Sequence, residues 1–236
     1  MRATWALVPV KSLDQAKQRL EPCLGDQRGE FCLAMLQDVL NAVVDSREIG
    51  SIAVITADPM VRSLAEAQSI LVITEIGSDG LNSAIRQGVD SIRKLGGVQI
   101  TVMHADIPLA TGAEIDRIHG SLLQHRGHSG KRAIGISPSA DRQGTNILCF
   151  DVDLSIPFRY GKDSYRQHLE AARGIATPAI TVDSETLSID IDQPCDLDSF
   201  ISYCQKRPEF QATRTWKYLQ QNDLTTMIVQ EKWMQQ

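Results

Sequence analysis

Residues 97 to 109 constrain the fold more than any other stretch: Gly97-Val98-Gln99-Ile100-Thr101-Val102-Met103-His104-Ala105-Asp106-Ile107-Pro108-Leu109. Val98, Ile100 and Val102 alternate with polar residues, the pattern of a half-buried β-strand. Pro108 has no N–H to give to a ladder, so the strand stops before it and Asp106 falls just past the carboxyl end. The same grammar recurs along the chain. Thr4 to Val10, Ser51 to Thr56, Ile70 to Ile73, Ala133 to Ser137 and Ile147 to Phe150 read as strands. Asp26 to Ser46 carries Phe31, Met35, Val39 and Val43 at a spacing of four, a helical face, and further helices are expected from Leu81 with a buried stripe running to Leu95, over Thr111 to Gln124 and over Asp196 to Gln205. Strands that alternate with helices define an α/β protein, and in open sheets of that class ligands bind outside the carboxyl ends of the strands. A carboxylate at Asp106 can hold a metal or a polar ligand there; it can equally cap a helix or close a turn.

At 236 residues, the chain is long enough for one large domain, expected over residues 1 to 207 and closed by Pro208. Residues 208 to 236 read as a C-terminal extension. Trp216, Tyr218, Leu219, Met227, Ile228, Val229 and Trp233 make it too apolar for a free tail, so it is expected to pack on the core or on a second copy in a homodimer. The net charge of −5 and the lack of a basic stripe argue against nucleic acid as a partner. Five cysteines, odd in number and without a C-x-x-C pair, point to reduced thiols in a cytoplasmic protein. No apolar run reaches membrane-spanning length, and the N-terminus runs into the first strand too soon for a signal peptide.

Several polar constellations are candidates for chemistry. Lys11, Lys17 and Arg19 follow the first strand in a connection without glycine, so it is neither a P-loop nor a dinucleotide fingerprint. Three cations there can hold a polyphosphate, or form a solvated basic face. Asp58, before Pro59, reads as a helix cap. Gly80 and Asn82 can bring backbone and amide groups against a base or ribose, or simply start a helix. His125 and His128 sit in an expected polar loop, Gln124 to Lys131, where exposure is a better reading than a metal pair, and Asp151-Val152-Asp153 reads as a turn. Gly161 and Ser164 precede a helix whose free N–H groups suit an anion, with His168 one turn on. Thr186 to Asp192 alternates like a strand, placing Asp190 and Asp192 on one face, where a cation would relieve their repulsion.

Taken in order, Trp5-Ala6-Leu7-Val8-Pro9-Val10-Lys11 with Ala16-Lys17-Gln18-Arg19-Leu20, Asp79-Gly80-Leu81-Asn82, His104-Ala105-Asp106-Ile107-Pro108, Pro138-Ser139 to Gly144-Thr145-Asn146, Gly161-Lys162-Asp163-Ser164 with His168, and Asp190-Ile191-Asp192-Gln193-Pro194 resemble the CofC/FbiD family, the guanylyltransferases of coenzyme F420 biosynthesis. The resemblance implies a single-domain nucleotidyltransferase fold, GT-A-like and Rossmann-like, with a mixed, mainly parallel sheet between helical layers. It implies GTP and Mg²⁺ as requirements, with Mn²⁺ an alternative. It implies an acceptor among 2-phospho-L-lactate, phosphoenolpyruvate and 3-phospho-D-glycerate, and a product handed to a downstream transferase. By the same resemblance Asp106 and Asp190 hold metal, with Asp192 assisting, and Lys11, Thr145, Gly161 and Ser164 line the acceptor site. Lys11, Lys17, Arg19, Gly80 and Asn82 are then expected on the nucleotide, and Lys11, Asp106 and Asp190 as the catalytic set. Tyr160-Gly161-Lys162-Asp163-Ser164-Tyr165 departs from the family's common Phe-Gly-Pro-Gly-Ser-Phe. Two other readings stay open: a nucleotidyltransferase for a sugar phosphate or a molybdenum cofactor, against which the missing G-x-G first loop counts, and a non-catalytic GTP-binding protein.

Overall fold

One strand running against its neighbours decides which residues meet at the rim of the sheet. The structure, a computed structural model, describes residues 4–77 and 80–225. In chain order its elements are β1 (Thr4–Pro9), α1 (Glu21–Leu24), α2 (Arg28–Asp45), β2 (Ser51–Thr56), α3 (Pro59–Ala67), β3 (Leu71–Thr74), α4 (Leu81–Lys94), β4 (Gln99–Met103), α5 (Gly112–Ser129), β5 (Ile134–Pro138), β6 (Thr145–Asp151), α6 (Ser164–Gly174), β7 (Ala179–Thr181), α7 (Glu185–Ser188), α8 (Pro194–Lys206) and α9 (Arg214–Gln221). The strands form a single sheet in the order β3-β2-β1-β4-β6-β5-β7. All neighbours pair in parallel except β6, which is antiparallel to both β4 and β5. Because β6 is reversed, its first residues, Thr145 and Asn146, lie beside the carboxyl end of β4, where Met103 pairs with Ile147.

Alternate strand residues feed two cores. Ala6, Val8, Met103, Ile147 and Cys149 face α2, α3, α5, α8 and α9, whereas Leu7, Ile100, Val102, Leu148 and Phe150 face α4 and α6. Helical layers therefore cover both faces, as an α/β sheet requires. Gly88 lets α4 settle on β1, since a Cβ there would lie 2.6 Å from the Leu7 side chain.

Four expectations need correction. The central strand is buried on both faces rather than one: Thr101 and Met103 are as inaccessible as Ile100 and Val102, and Val98 lies outside the strand. Thr186 to Asp192 is not a strand. Glu185–Ser188 makes a helical turn capped by the Ser184 hydroxyl, which accepts from Leu187 N at 3.2 Å, and residues 189–192 join no ladder. Leu187 is buried from the helical turn and Ile191 from the irregular segment after it, so two different elements supply apolar residues that read as one alternating face. The polar loop expected at Gln124 is the end of α5, which continues to Ser129 and stops at Gly130 in the left-handed region; Gly120 and Gly127 face open space, where a helical glycine costs only about 1 kcal/mol. Leu95, expected in the buried stripe of α4, caps that helix and is exposed.

After Pro208–Ala212, a 3-10 turn, α9 crosses α2 and adds Trp216 and Leu219 to the same core cluster as Phe31 and Leu36. Met227, Ile228, Val229 and Trp233 lie outside the described residues. Buried Asp38 of α2 fastens α9 by accepting from Arg214 N and Thr215 N, each at 2.8 Å, and from Thr215 Oγ1 at 2.7 Å. Burial pushes the Asp38 carboxyl up, and these donors oppose that. Asp38→Ala is expected to cost about 2–3 kcal/mol, because it leaves buried donors facing no acceptor. Urea unfolding followed by tryptophan fluorescence measures this, and an unchanged midpoint would show that α9 is held by its apolar face alone.

Candidate active site

The strand order reverses between β1 and β4, so their connections leave in opposite directions and a crevice opens between them. This cleft, about 380 Å³, is lined by Lys11, Lys17, Leu81, His104, Asp106 and Asp192 among others. The connection after β1 makes two 3-10 turns, Leu13–Gln15 and Gln18–Leu20, with Lys17 between them at a left-handed φ of 51°. Asp58 anchors it. Its carboxylate caps α3 as expected, accepting from Met60 N at 2.8 Å and Val61 N at 3.1 Å, and its second oxygen accepts from Leu13 N at 2.9 Å.

Lys17 lies between two carboxylates. Its Nζ donates to Asp106 Oδ2 at 2.5 Å and to Asp192 Oδ1. Burial alone would lower the pKa of Lys17; Asp106 and Asp192 outweigh it and hold the ammonium protonated above its ordinary range. Burial likewise works to raise Asp106, and the charges of Lys17 and His104 pull it below the usual carboxylate value instead. Among the described residues no cation pairs with Asp190. Burial, then the charges of Asp106 and Asp192, push its carboxyl up to about 7, against one hydrogen bond from Asn146 Nδ2 at 3.2 Å. The two carboxylate segments are tied together where Ile191 N donates to the Asp106 carbonyl at 3.0 Å.

A second cluster stands on the same rim. Arg159 N donates to His168 Nε2 at 3.0 Å, so that nitrogen is an acceptor and Nδ1 carries the proton towards Thr145 Oγ1, 3.0 Å away. Burial holds the His168 pKa down to about 4, which keeps the ring neutral. Ser164 Oγ also donates to Thr145 Oγ1, at 3.3 Å. With two donors aimed at its oxygen, Thr145 keeps its own hydroxyl hydrogen to give away. Gly161 has a φ of 127°, and no atom lies within 4 Å of where a Cβ would sit, so its backbone is open to a ligand.

The expected nucleotide contacts divide. Lys11 is exposed on the cleft lining, and Gly80 takes a φ of 83° at the start of α4. Arg19 is exposed on the turn Gln18–Leu20 and is not part of that lining. Asn82 is engaged at both ends of its amide: Nδ2 donates to Tyr160 O at 3.0 Å and Oδ1 accepts from Tyr160 N at 2.8 Å. It fastens the segment before α6 to α4. Sequence reasoning gave no role to Asn146, Tyr160 or His104. Asn146 is 1% exposed and holds Leu187 O at 2.9 Å besides Asp190. A buried amide inside a strand always needs partners, and that was the available signal.

The donor set suits a hard divalent cation. It is all oxygen, Asp106 Oδ1 is buried without a hydrogen-bond partner, and the Lys17 ammonium already places positive charge between two of the carboxylates. Among the described residues no three His, Cys, Asp or Glu side chains converge on one point. Mg²⁺ is commonly bound by one or two carboxylates together with substrate phosphates, and it needs no preformed protein cage.

Comparison with known proteins fits this geometry. The family model "Guanylyl transferase CofC like" matches residues 4–226. Phosphoenolpyruvate guanylyltransferase of Sphaerobacter thermophilus is 29% identical over 85% of this chain and 93% of its own. 2-Phospho-L-lactate guanylyltransferase of Methanothermobacter thermautotrophicus is 31% identical over 84% of each. Among solved structures, a Desulfovibrio desulfuricans protein provisionally assigned as a nucleotide-diphospho-sugar transferase superposes with a TM-score of 0.77 at 20% identity, covering 97% of this chain and 99% of the other. A cytidylyltransferase of Leptospira borgpetersenii gives 0.60 at 13% identity over 95% and 97%. These likenesses establish the nucleotidyltransferase fold, and the family match over nearly the whole chain identifies an enzyme: this protein belongs to the CofC-like guanylyl transferase family.

Proposed function

We propose that the protein transfers GMP from GTP to the phosphate of a three-carbon phospho acid, 2-phospho-L-lactate, phosphoenolpyruvate or 3-phospho-D-glycerate, in coenzyme F420 biosynthesis. One observation carries the reading: a cation clasped by Asp106 and Asp192 at the reversal of strand order, on the same rim as the donor cluster Thr145, Ser164 and His168. In the reaction a phosphate oxygen of the acceptor bonds to the α-phosphorus of GTP. The bond from that phosphorus to the α,β-bridging oxygen breaks, and pyrophosphate leaves.

The acceptor phosphate is largely a dianion at neutral pH, so no general base is required. The obstacle is repulsion between two anions. Lys11 and Lys17 supply positive charge to the phosphates, while Thr145, Ser164 and the open backbone at Gly161 hold the acceptor by hydrogen bonds. Mg²⁺ or Mn²⁺ held by Asp106 and Asp190, with Asp192 assisting, would screen the phosphates and stabilise the charge that develops on the leaving group. The five cysteines are all free, in keeping with a cytoplasmic setting. Among the described residues no helix is long and apolar enough to cross a membrane.

Pyrophosphate release from GTP and Mg²⁺, run in parallel with the three acids, tests the reading; no release with any of them would refute it. Asp106→Asn should lower guanylyl transfer by about a hundredfold or more. The variant should keep its fold, since Lys17 retains Asp192, and near-normal turnover would remove Asp106 from the machinery. Ser164→Ala should weaken acceptor binding by about fivefold, the worth of one neutral hydrogen bond. Separate titrations of acceptor and GTP check that only the first is affected.

A further inference from the structure

The segment between β6 and α6 has no ladder to hold it. Residues 157–160 belong to no helix or strand, and they lead into Gly161, whose backbone lies open, and Ser164 at the start of α6. Among the described residues, two side chains hold the main chain there instead. His168 accepts from Arg159 N at 3.0 Å. Asn82 closes a two-bond clasp on Tyr160, accepting from its N–H at 2.8 Å and donating to its carbonyl at 3.0 Å. The clasp supplies what a residue of a neighbouring antiparallel strand would supply. His168 also bonds Thr145, so its hold on the segment stays within one cluster. Asn82 comes from elsewhere. It stands in the first turn of α4, next to Leu81 of the cleft lining. That helix is itself fixed: Ala84, Ile85, Val89 and Ile92 are buried against the sheet, and Gly88 seats it on Leu7 of β1. The connection after β1 carries Lys11 and Lys17. One amide thus joins the irregular segment beside Thr145 and Ser164 to the frame that carries the cations of the cleft.

We propose that Asn82 is a positioning residue for the transfer: its clasp on Tyr160 sets the placement of the acceptor cluster relative to the nucleotide cleft, acting through the main chain rather than on either substrate. The inference rests on the guanylyl transfer proposed above, and it replaces the nucleotide contact that the sequence led us to expect for Asn82. An amide carries an acceptor and a donor on separate atoms, so it serves both main-chain groups of one residue, which a carboxylate does not. In-line displacement needs the attacking oxygen close to the α-phosphorus and aligned with the bond that breaks. A misplacement of about 1 Å lowers such a rate by about a hundredfold. With the clasp open, residues 157–160 keep only the bond to His168. Both substrates then still bind, and they meet in fewer productive orientations.

Asn82→Ala is expected to lower kcat at saturating substrates by about tenfold to a hundredfold, while the Kd for GTP, measured by calorimetry with Mg²⁺, stays within about twofold. In the protein without substrates, amide hydrogen exchange of the peptide spanning residues 157–163 should speed up, and the peptides of β1 and β4 should keep their protection. Asn82→Asp guards against a folding defect, since an acid suits the first turn of a helix. It keeps an acceptor for Tyr160 N and lacks the donor for the carbonyl, so its kcat should fall between those of the unaltered protein and Asn82→Ala. An unchanged kcat in the variants would overturn the proposal. Weakened GTP binding with kcat preserved would also overturn it and return Asn82 to the nucleotide. Faster exchange throughout the sheet, with kcat per folded molecule unchanged, would mark Asn82 as structural. Failure of the unaltered protein to release pyrophosphate with any acid would instead defeat the guanylyl transfer reading itself.

Discussion

Asp106, Asp190 and Asp192 repel one another, and the rim of the sheet is built to hold them near each other regardless. The carbonyl of Asp106 accepts from Ile191 N, and Asn146 reaches from β6 to both Leu187 O and Asp190. The Asp196 side chain accepts from Asp192 N and Gln193 N while opening α8. Beneath these bonds Ile107, Leu109, Leu187 and Ile191 are wholly buried. Apolar burial on that scale contributes about 1.5–3 kcal/mol per side chain, enough to offset repulsion softened by solvent and by Lys17. The rim keeps charges together because the residues between them belong to the core.

Reversal of β6 is the other half of this arrangement. In a wholly parallel sheet the start of a strand lies at the edge away from the ligand crevice. Running β6 backwards brings Thr145 and Asn146 to the carboxyl ends of β1 and β4. One strand then serves both sets of groups, with Asn146 steadying a carboxylate and Thr145 collecting donors from His168 and Ser164. Thr145 stands on the sheet and Ser164 and His168 on α6, whereas Asp106, Asp190 and Asp192 stand on the connections after β4 and α7, held there by the hydrogen bonds and burial described above.

How much of this could be read beforehand depended on the range of each interaction. Asp58 as a cap, a helix over Asp196 to Gln205, and Asp106 just past β4 follow from neighbours in sequence, and all are found. The alternation at Thr186 to Asp192 misled because Leu187 and Ile191 are buried from different elements, a helical turn and the segment after it, and an apolar pattern does not show where one ends and the next begins. Asn82 with Tyr160, Lys17 with Asp106 and Asp192, and Asp38 with Thr215 join residues 78 to 177 positions apart. No periodicity encodes such pairs. Composition at each position gave candidates, and only the fold shows which partner each one meets.

The Lys17 contact also bears on how the proposed function would bring a triphosphate into a cleft rich in carboxylates. One ammonium set against Asp106 and Asp192 leaves that pair with a net negative charge, which adds to burial in pushing the Asp190 carboxyl up. Further positive charge is therefore favoured at the rim, and under the proposed function the divalent ion would supply it. Lys17 sits in a left-handed turn between two single 3-10 turns, a short and locally held connection rather than a long helix. Under the proposed function its ammonium would exchange carboxylate for phosphate oxygens, a change confined to one side chain. The same segment is moored to the core through Leu13 N and Asp58, which holds the backbone of the first connection in place whatever the Lys17 side chain meets.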